Sequence, residues 1–188
     1  MMSEKKLGRM DSYNKKGKHG FLIDENEKRI KVFKNNFLNK SPITTGKVYY
    51  QLNDQNRVYN IEVYYPYYFK EIVLDLEKHD YDEFCDQAKE YAEVLVGGDV
   101  STSQIRKIYS QIYRARDIKD VKHLRPQFAY TVGRNRDVHR LGELMDTLDY
   151  LAKHAESGTD REEAHLKNIK TFLEAIVAYM KYVGDKDK

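Results

Sequence analysis

A single cysteine, Cys85, stands among 188 residues. No disulfide can therefore form within the chain, and its place in a helical apolar pattern reads as a buried thiol rather than a nucleophile. Long hydrophobic runs are missing as well: none approaches the roughly 20 residues that a membrane helix requires. Met1 to Met10 carries lysines with no apolar stretch behind them, so no secretory segment is expected and the expected location is cytoplasmic. The six histidines, at 19, 79, 123, 139, 154 and 165, never fall three or four residues apart, which with one cysteine leaves no zinc-binding set. There is no Walker loop, no Gly-x-Ser-x-Gly elbow and no kinase signature. Gly97-Gly98 reads as a helix stop, and Asp80, Asp82, Glu83 and Asp86 gather where a helix dipole favours negative charge without catalytic demand. His123 beside Arg125 is a weak acid/base candidate on its own. The reading is a protein that is not an enzyme, with no catalytic residue, metal or cofactor.

Hydrophobic residues make up 40% of the chain and charged residues 34%, enough apolar material for a core beneath a highly charged surface. The net charge of +3 conceals segregation. Residues 1–65 hold 13 Lys/Arg against 7 Asp/Glu, residues 66–100 hold 3 against 10, residues 101–140 hold 10 against 3, and residues 141–188 hold 7 against 10. Two folded basic blocks flanking an acidic one suit a polyanionic partner, and in a cytoplasm that is usually nucleic acid.

From Leu7 to Tyr65 the pattern is β-like, with short β-branched and aromatic runs punctuated by Gly17, Gly20, Gly46, Pro42 and Asn53-Asp54-Gln55-Asn56. Expected strands are Leu7–Tyr13, Gly20–Asp24, Arg29–Phe33, Lys47–Leu52 and Val58–Tyr65, closing into a small barrel, with Pro66 ending the last. The aromatic segment 64–69 is expected to pack the two domains together within a connector over 66–80. After it the hydrophobic period becomes 3.6. Five helices are expected. Asp80 caps the first, Ser101 with Gln104 opens the second, Pro126 begins a short third, Val138 to Ala155 forms the fourth, and Thr159 with Glu162 caps the fifth, which runs to Gly184. The fold class is thus α+β in two domains, a five-stranded barrel over 1–65 and a helical bundle over 81–188.

In the first half, Tyr13-Asn14, Gly20-Phe21 with Ile23, and Ile30-Lys-Val-Phe33 resemble the cold-shock domain, an OB-type barrel that stacks single-stranded bases on exposed aromatics. Ser12, Lys18-His19 and Lys31 depart from the family at aromatic positions. The resemblance implies a site of Tyr13, His19, Phe21 and Phe33 for stacking, with Lys18 and Lys31 for phosphates. A barrel used for docking to a protein neighbour is the alternative.

In the second half, Ser101-Thr-Ser-Gln-Ile-Arg106, Leu124-Arg-Pro-Gln-Phe-Ala-Tyr130 with Gly133-Arg134, and Phe172 to Tyr179 with Lys181-Tyr182 resemble, in order and spacing, the small subunit of type III-A CRISPR (Csm) effector complexes. That resemblance implies a non-catalytic, antiviral-defence subunit stacked in several copies along guide RNA and target RNA, beside backbone and large subunits. Helical spacing independently sets Ser103, Lys107, Ser110 and Arg114 opposite Ile105, Ile108 and Ile112. Arg106, Arg125, Arg134, Arg136 and Arg140 complete the expected RNA-binding set. Tyr130 and Tyr179 read as core residues. A free-standing cold-shock-like RNA chaperone with a helical oligomerisation domain is the competing reading.

Overall fold

A computed structural model describes residues 4–184, which divide along the chain into two compact units, with the boundary between Tyr65 and Pro66. The first is a curled antiparallel sheet of β1 (Lys6–Asn14), β2 (His19–Ile23), β3 (Arg29–Phe33), β4 (Gly46–Leu52) and β5 (Val58–Val63), ordered β3-β2-β1-β4-β5. Past β3, Phe37 makes a parallel bridge to Ile61 of β5, which carries the curl toward closure. Period-2 alternation turns Met10, Leu22, Val32, Val48, Tyr50, Ile61 and Val63 into the buried concave side. The last strand ends two residues earlier than its aromatic run suggests. Tyr65 leaves the ladder, and its hydroxyl accepts the Lys47 N–H at 2.9 Å.

One irregularity decides which side chains share a face. In the β1–β2 ladder, Met10 pairs with Leu22 and Ser12 with Phe21, so Asp11 is an extra residue, a bulge that reverses the alternation beyond it. Strict alternation from Arg9 would turn Tyr13 outward. Instead Tyr13 pairs with buried Gly20 and sets its ring edge-on to buried Phe37, with centroids 5.5 Å apart. Gly20 has no room for a side chain there: a Cβ would lie 2.8 Å from Tyr13 Cδ2.

The second unit holds the five expected helices and two short ones. They are α1 (Tyr65–Ile72), α2 (Tyr81–Gly97), α3 (Thr102–Arg114), α4 (Ile118–His123), α5 (Arg125–Arg134), α6 (His139–His154) and α7 (Glu162–Gly184), with a 3-10 segment over Val73–Lys78. The aromatic stretch after Pro66 is thus helical. Its Phe69 is fully buried against Phe172 (4.7 Å between centroids), Tyr91 (5.8 Å) and Phe84 (5.9 Å), where truncation to alanine would cost about 3–5 kcal/mol.

The caps follow from the side chains present. Asp80 accepts from the Asp82 and Glu83 N–H groups at 2.8 and 3.0 Å, Asp117 accepts from Asp120 N–H at 2.8 Å, and Ser101 and Gln104 exchange bonds as a reciprocal box. At the end of α2, Val100 N–H reaches Leu95 O and Asp99 N–H reaches Val96 O, both at 3.0 Å. This Schellman arrangement puts the left-handed residue (φ 65°) at Asp99 and not at either glycine. Cys85 is half-buried rather than buried. Among the described residues no helix is long and apolar enough to cross a membrane, and no cluster of three or more potential metal ligands occurs.

Candidate nucleic-acid interface

In the helical unit the arrangement centres on α3, whose sequence Thr-Ser-Gln-Ile-Arg-Lys-Ile-Tyr-Ser-Gln-Ile-Tyr-Arg contains no acidic residue. Ile105, Ile108 and Ile112 are buried at 0–1% exposure, while Arg106, Lys107 and Arg114 are exposed and make no ion pair among the described residues. A cation without a carboxylate partner keeps its full charge for a ligand. Gln104 Nε2 donates to Asn135 Oδ1 at 3.1 Å, joining the start of α3 to the end of α5. Arg134 and Arg136 flank Asn135, both exposed. Arg134 lies 5.8 Å from the ring centre of Tyr130, and Tyr130, expected in the core, is 56% exposed.

Two members of the expected set stand elsewhere. Arg125 is committed to Asp149 through two bonds, Nε to Oδ1 at 2.8 Å and Nη2 to Oδ2 at 3.1 Å, a fork that raises its pKa further. Arg140 is 3% exposed and ion-paired with Glu143. Its stem lies over Gly98, so the structure corrects its place from basic surface to interior. Helical spacing carried a sign of this, since Arg140 stands four and eight residues before buried Leu144 and Leu148 in α6.

On the sheet, register places His19, Phe21 and Ile23 of β2 beside Arg29, Lys31 and Phe33 of β3, with Arg9, Ser12 and Asn14 of β1 on the same outward face. Phe33 is 52% exposed, and Lys31 Nζ lies 5.6 Å from its ring centre. His19 stands edge-on to Phe21 at 6.0 Å. Lys18, exposed with φ 54°, sits in the β1–β2 turn at one end of this face. Tyr13 is absent from the face for the reason given by the bulge. Arg29, absent from the expected set, covers the Phe21 ring at 3.9 Å and pairs with Asp11 at 2.9 Å. Its alternation with Lys31 and Phe33 is the sequence signal that pointed to it.

Comparison with known proteins supplies the family. The model of the Csm2 type III-A family matches residues 78–186, more than half of the chain. The "CRISPR system Cms protein Csm2" of Streptococcus thermophilus is 38% identical over 98 residues, covering 47% of this chain and 76% of that protein. No solved structure matches. Residues 1–77, with the whole five-stranded sheet, precede the matched region. The matched region contains α2 to α7, the caps of α2 to α4, the acid-free α3 and the basic corner at Asn135, and the chain belongs to the Csm2 family, the small subunits of type III-A CRISPR effector complexes.

Proposed function

We propose that the chain is a non-catalytic RNA-binding subunit that holds the guide RNA and target RNA of a type III-A effector, through the backbone, on the face formed by Arg106, Lys107, Arg114, Arg134 and Arg136. The observation that carries this reading is α3: exposed cations with no carboxylate partner among the described residues, on a helix without an acid, backed by a buried isoleucine row. Such a face neutralises phosphates and reads no base edge, which suffices where base pairing supplies sequence recognition. In this reading several copies associate along the RNA beside backbone and large subunits, in antiviral defence in the cytoplasm. Arg125 and Arg140 serve the fold. Affinity purification of the native protein tests it: a multi-subunit complex with short guide RNA is the expected recovery, and the protein alone with heterogeneous transcripts would point to the chaperone.

The sheet supports a second, weaker RNA contact. Its outward face combines His19, Phe21 and Phe33 with Arg9, Arg29, Lys31 and Lys18, the mixture of rings and cations by which OB-type barrels hold single strands on strands 2 and 3. The expected behaviour is salt-sensitive and sequence-tolerant binding. Negligible RNA affinity of the sheet face, together with loss of complex assembly on its mutation, would make it a protein-docking surface instead.

A further inference from the structure

Helical spacing divides the outer surface of α3 into two adjoining rows. Ser103, Lys107, Ser110 and Arg114 form one, and Thr102, Arg106, Tyr109 and Tyr113 form the other. Tyr113 is 60% exposed, and its ring lies 5.9 Å from that of Tyr109 at an interplanar angle of 31°. Tyr109 is half-buried, so the pair offers one open ring, that of Tyr113, whose exposed apolar surface costs hydration without serving the core. The next row holds only hydroxyls and cations that make no ion pair among the described residues. Burial first, then the charge of Glu174 on α7, raises the pKa of the Tyr109 phenol.

We infer that α3 takes unpaired RNA nucleotides, with bases stacked on Tyr113 and Tyr109 and phosphates held by Lys107 and Arg114. The inference rests on the RNA-binding reading of this face and adds to it the state of the RNA: strand with accessible base faces, rather than uniform duplex. Lys107 and Arg114 stand on the row beside the rings and Arg106 at the near end of the tyrosine row, so a backbone held along these cations turns its bases toward Tyr113 and Tyr109. Single-sign charge across α3 favours RNA over a protein neighbour as the occupant. Base–aromatic stacking is sequence-tolerant because every base has a π-face, in keeping with a subunit that must serve any guide.

Full-length protein carrying Phe33→Ala, to suppress stacking on the sheet, provides the background for the test. Fluorescence anisotropy is measured with a labelled single-stranded RNA and with a fully paired RNA duplex of equal length. Tyr113→Ala should weaken single-strand binding between about 5-fold and 150-fold and duplex binding less than about 2-fold, while Tyr113→Phe should keep wild-type affinity. Photocrosslinking of 4-thiouridine RNA should mark the peptide containing Tyr109 and Tyr113. If Lys107→Glu weakens both RNAs while Tyr113→Ala weakens neither or both equally, the stacking inference falls and the basic face stands. If Lys107→Glu with Arg114→Glu changes neither RNA, the reading of the face itself falls. Unchanged RNA binding by Tyr113→Ala with lost recovery of other subunits would assign the row to a protein neighbour and overturn the inference.

Discussion

Arg140 packs its stem against the backbone of Gly98: a Cβ placed on that glycine would lie 3.0 Å from Arg140 Cβ and 3.2 Å from Val94 O, and would overlap Arg140 Cγ. The glycine ends α2 with φ −93° and ψ 18°, which alanine adopts freely, so conformational entropy alone would make Gly98→Ala stabilising by about 0.4–1 kcal/mol. The clash reverses the sign. Urea denaturation should show Gly98→Ala destabilised by about 1–3 kcal/mol, and Arg140→Ala destabilised by a similar amount, on the order of 1–3 kcal/mol, through the stranded partner. RNA affinity of folded Arg140→Ala should equal wild type, and a loss would return Arg140 to the interface.

The α3 cations give the opposite profile. Lys107→Glu with Arg114→Glu should weaken RNA binding while stability stays within about 0.5 kcal/mol, because both are exposed and make no ion pair among the described residues. Wild-type binding should fall with salt, at a log–log slope of about −0.7 to −0.9 per neutralised phosphate. A flat salt titration would exclude backbone contacts as the main source of affinity.

Phe33 and Tyr13 separate the two faces of the sheet. Phe33→Ala should reduce affinity for short single-stranded RNA by about 1–3 kcal/mol without changing the melting temperature. Tyr13→Ala should do the reverse, since Tyr13 packs on buried Phe37. Equal RNA losses from both variants would mean that the bulge at Asp11 does not hold in solution.

His165 predicts an acid-side weakening of the helical unit. It is 2% exposed, and Nδ1 accepts the Glu156 N–H at 3.0 Å, which places the proton on a buried Nε2. Burial first, then the charge of Arg161, lowers its pKa, against the opposing pull of Glu156, Asp75 and Glu77. Because the unfolded chain binds this proton more readily, the neutral ring's contribution is complete above the unfolded pKa of about 6.5 and is lost as pH falls below it. Thermal melts from pH 7.5 to 5.5 should show stability declining, with a smaller slope in His165→Gln. Depressed carboxylates such as Glu162, held first by the Gly158 and Ile118 N–H groups, add losses only at lower pH, below the ordinary carboxylate range. An equal slope in both proteins would remove His165 as the cause.

Local chemistry made much of this molecule legible in its sequence. Ser101 and Gln104 announce α3, Asp80 announces α2, and Ile105, Ile108 and Ile112 announce the buried side of a helix because their spacing matches its period. The switch from period 2 to period 3.6 near Pro66, the charge blocks and the three matching motifs likewise depend only on residues near one another in the chain. The same proximity placed Lys107 and Arg114 outside, opposite the isoleucines.

Tertiary structure decided what depends on residues far apart. α1 was hidden because its aromatics mimic a β-run until Phe69 finds Phe84, Tyr91 and Phe172. Arg140 was drawn inside by Gly98, 42 positions away by their numbering, and Arg125 was taken up by Asp149 on α6. Tyr13 was turned inward by one extra residue in a ladder, a feature that composition does not encode because a bulge is set by the pairing of two strands. Periodicity states which side of an element is apolar, whereas which cations remain unpaired and which rings remain open is settled only when other elements occupy the space around them.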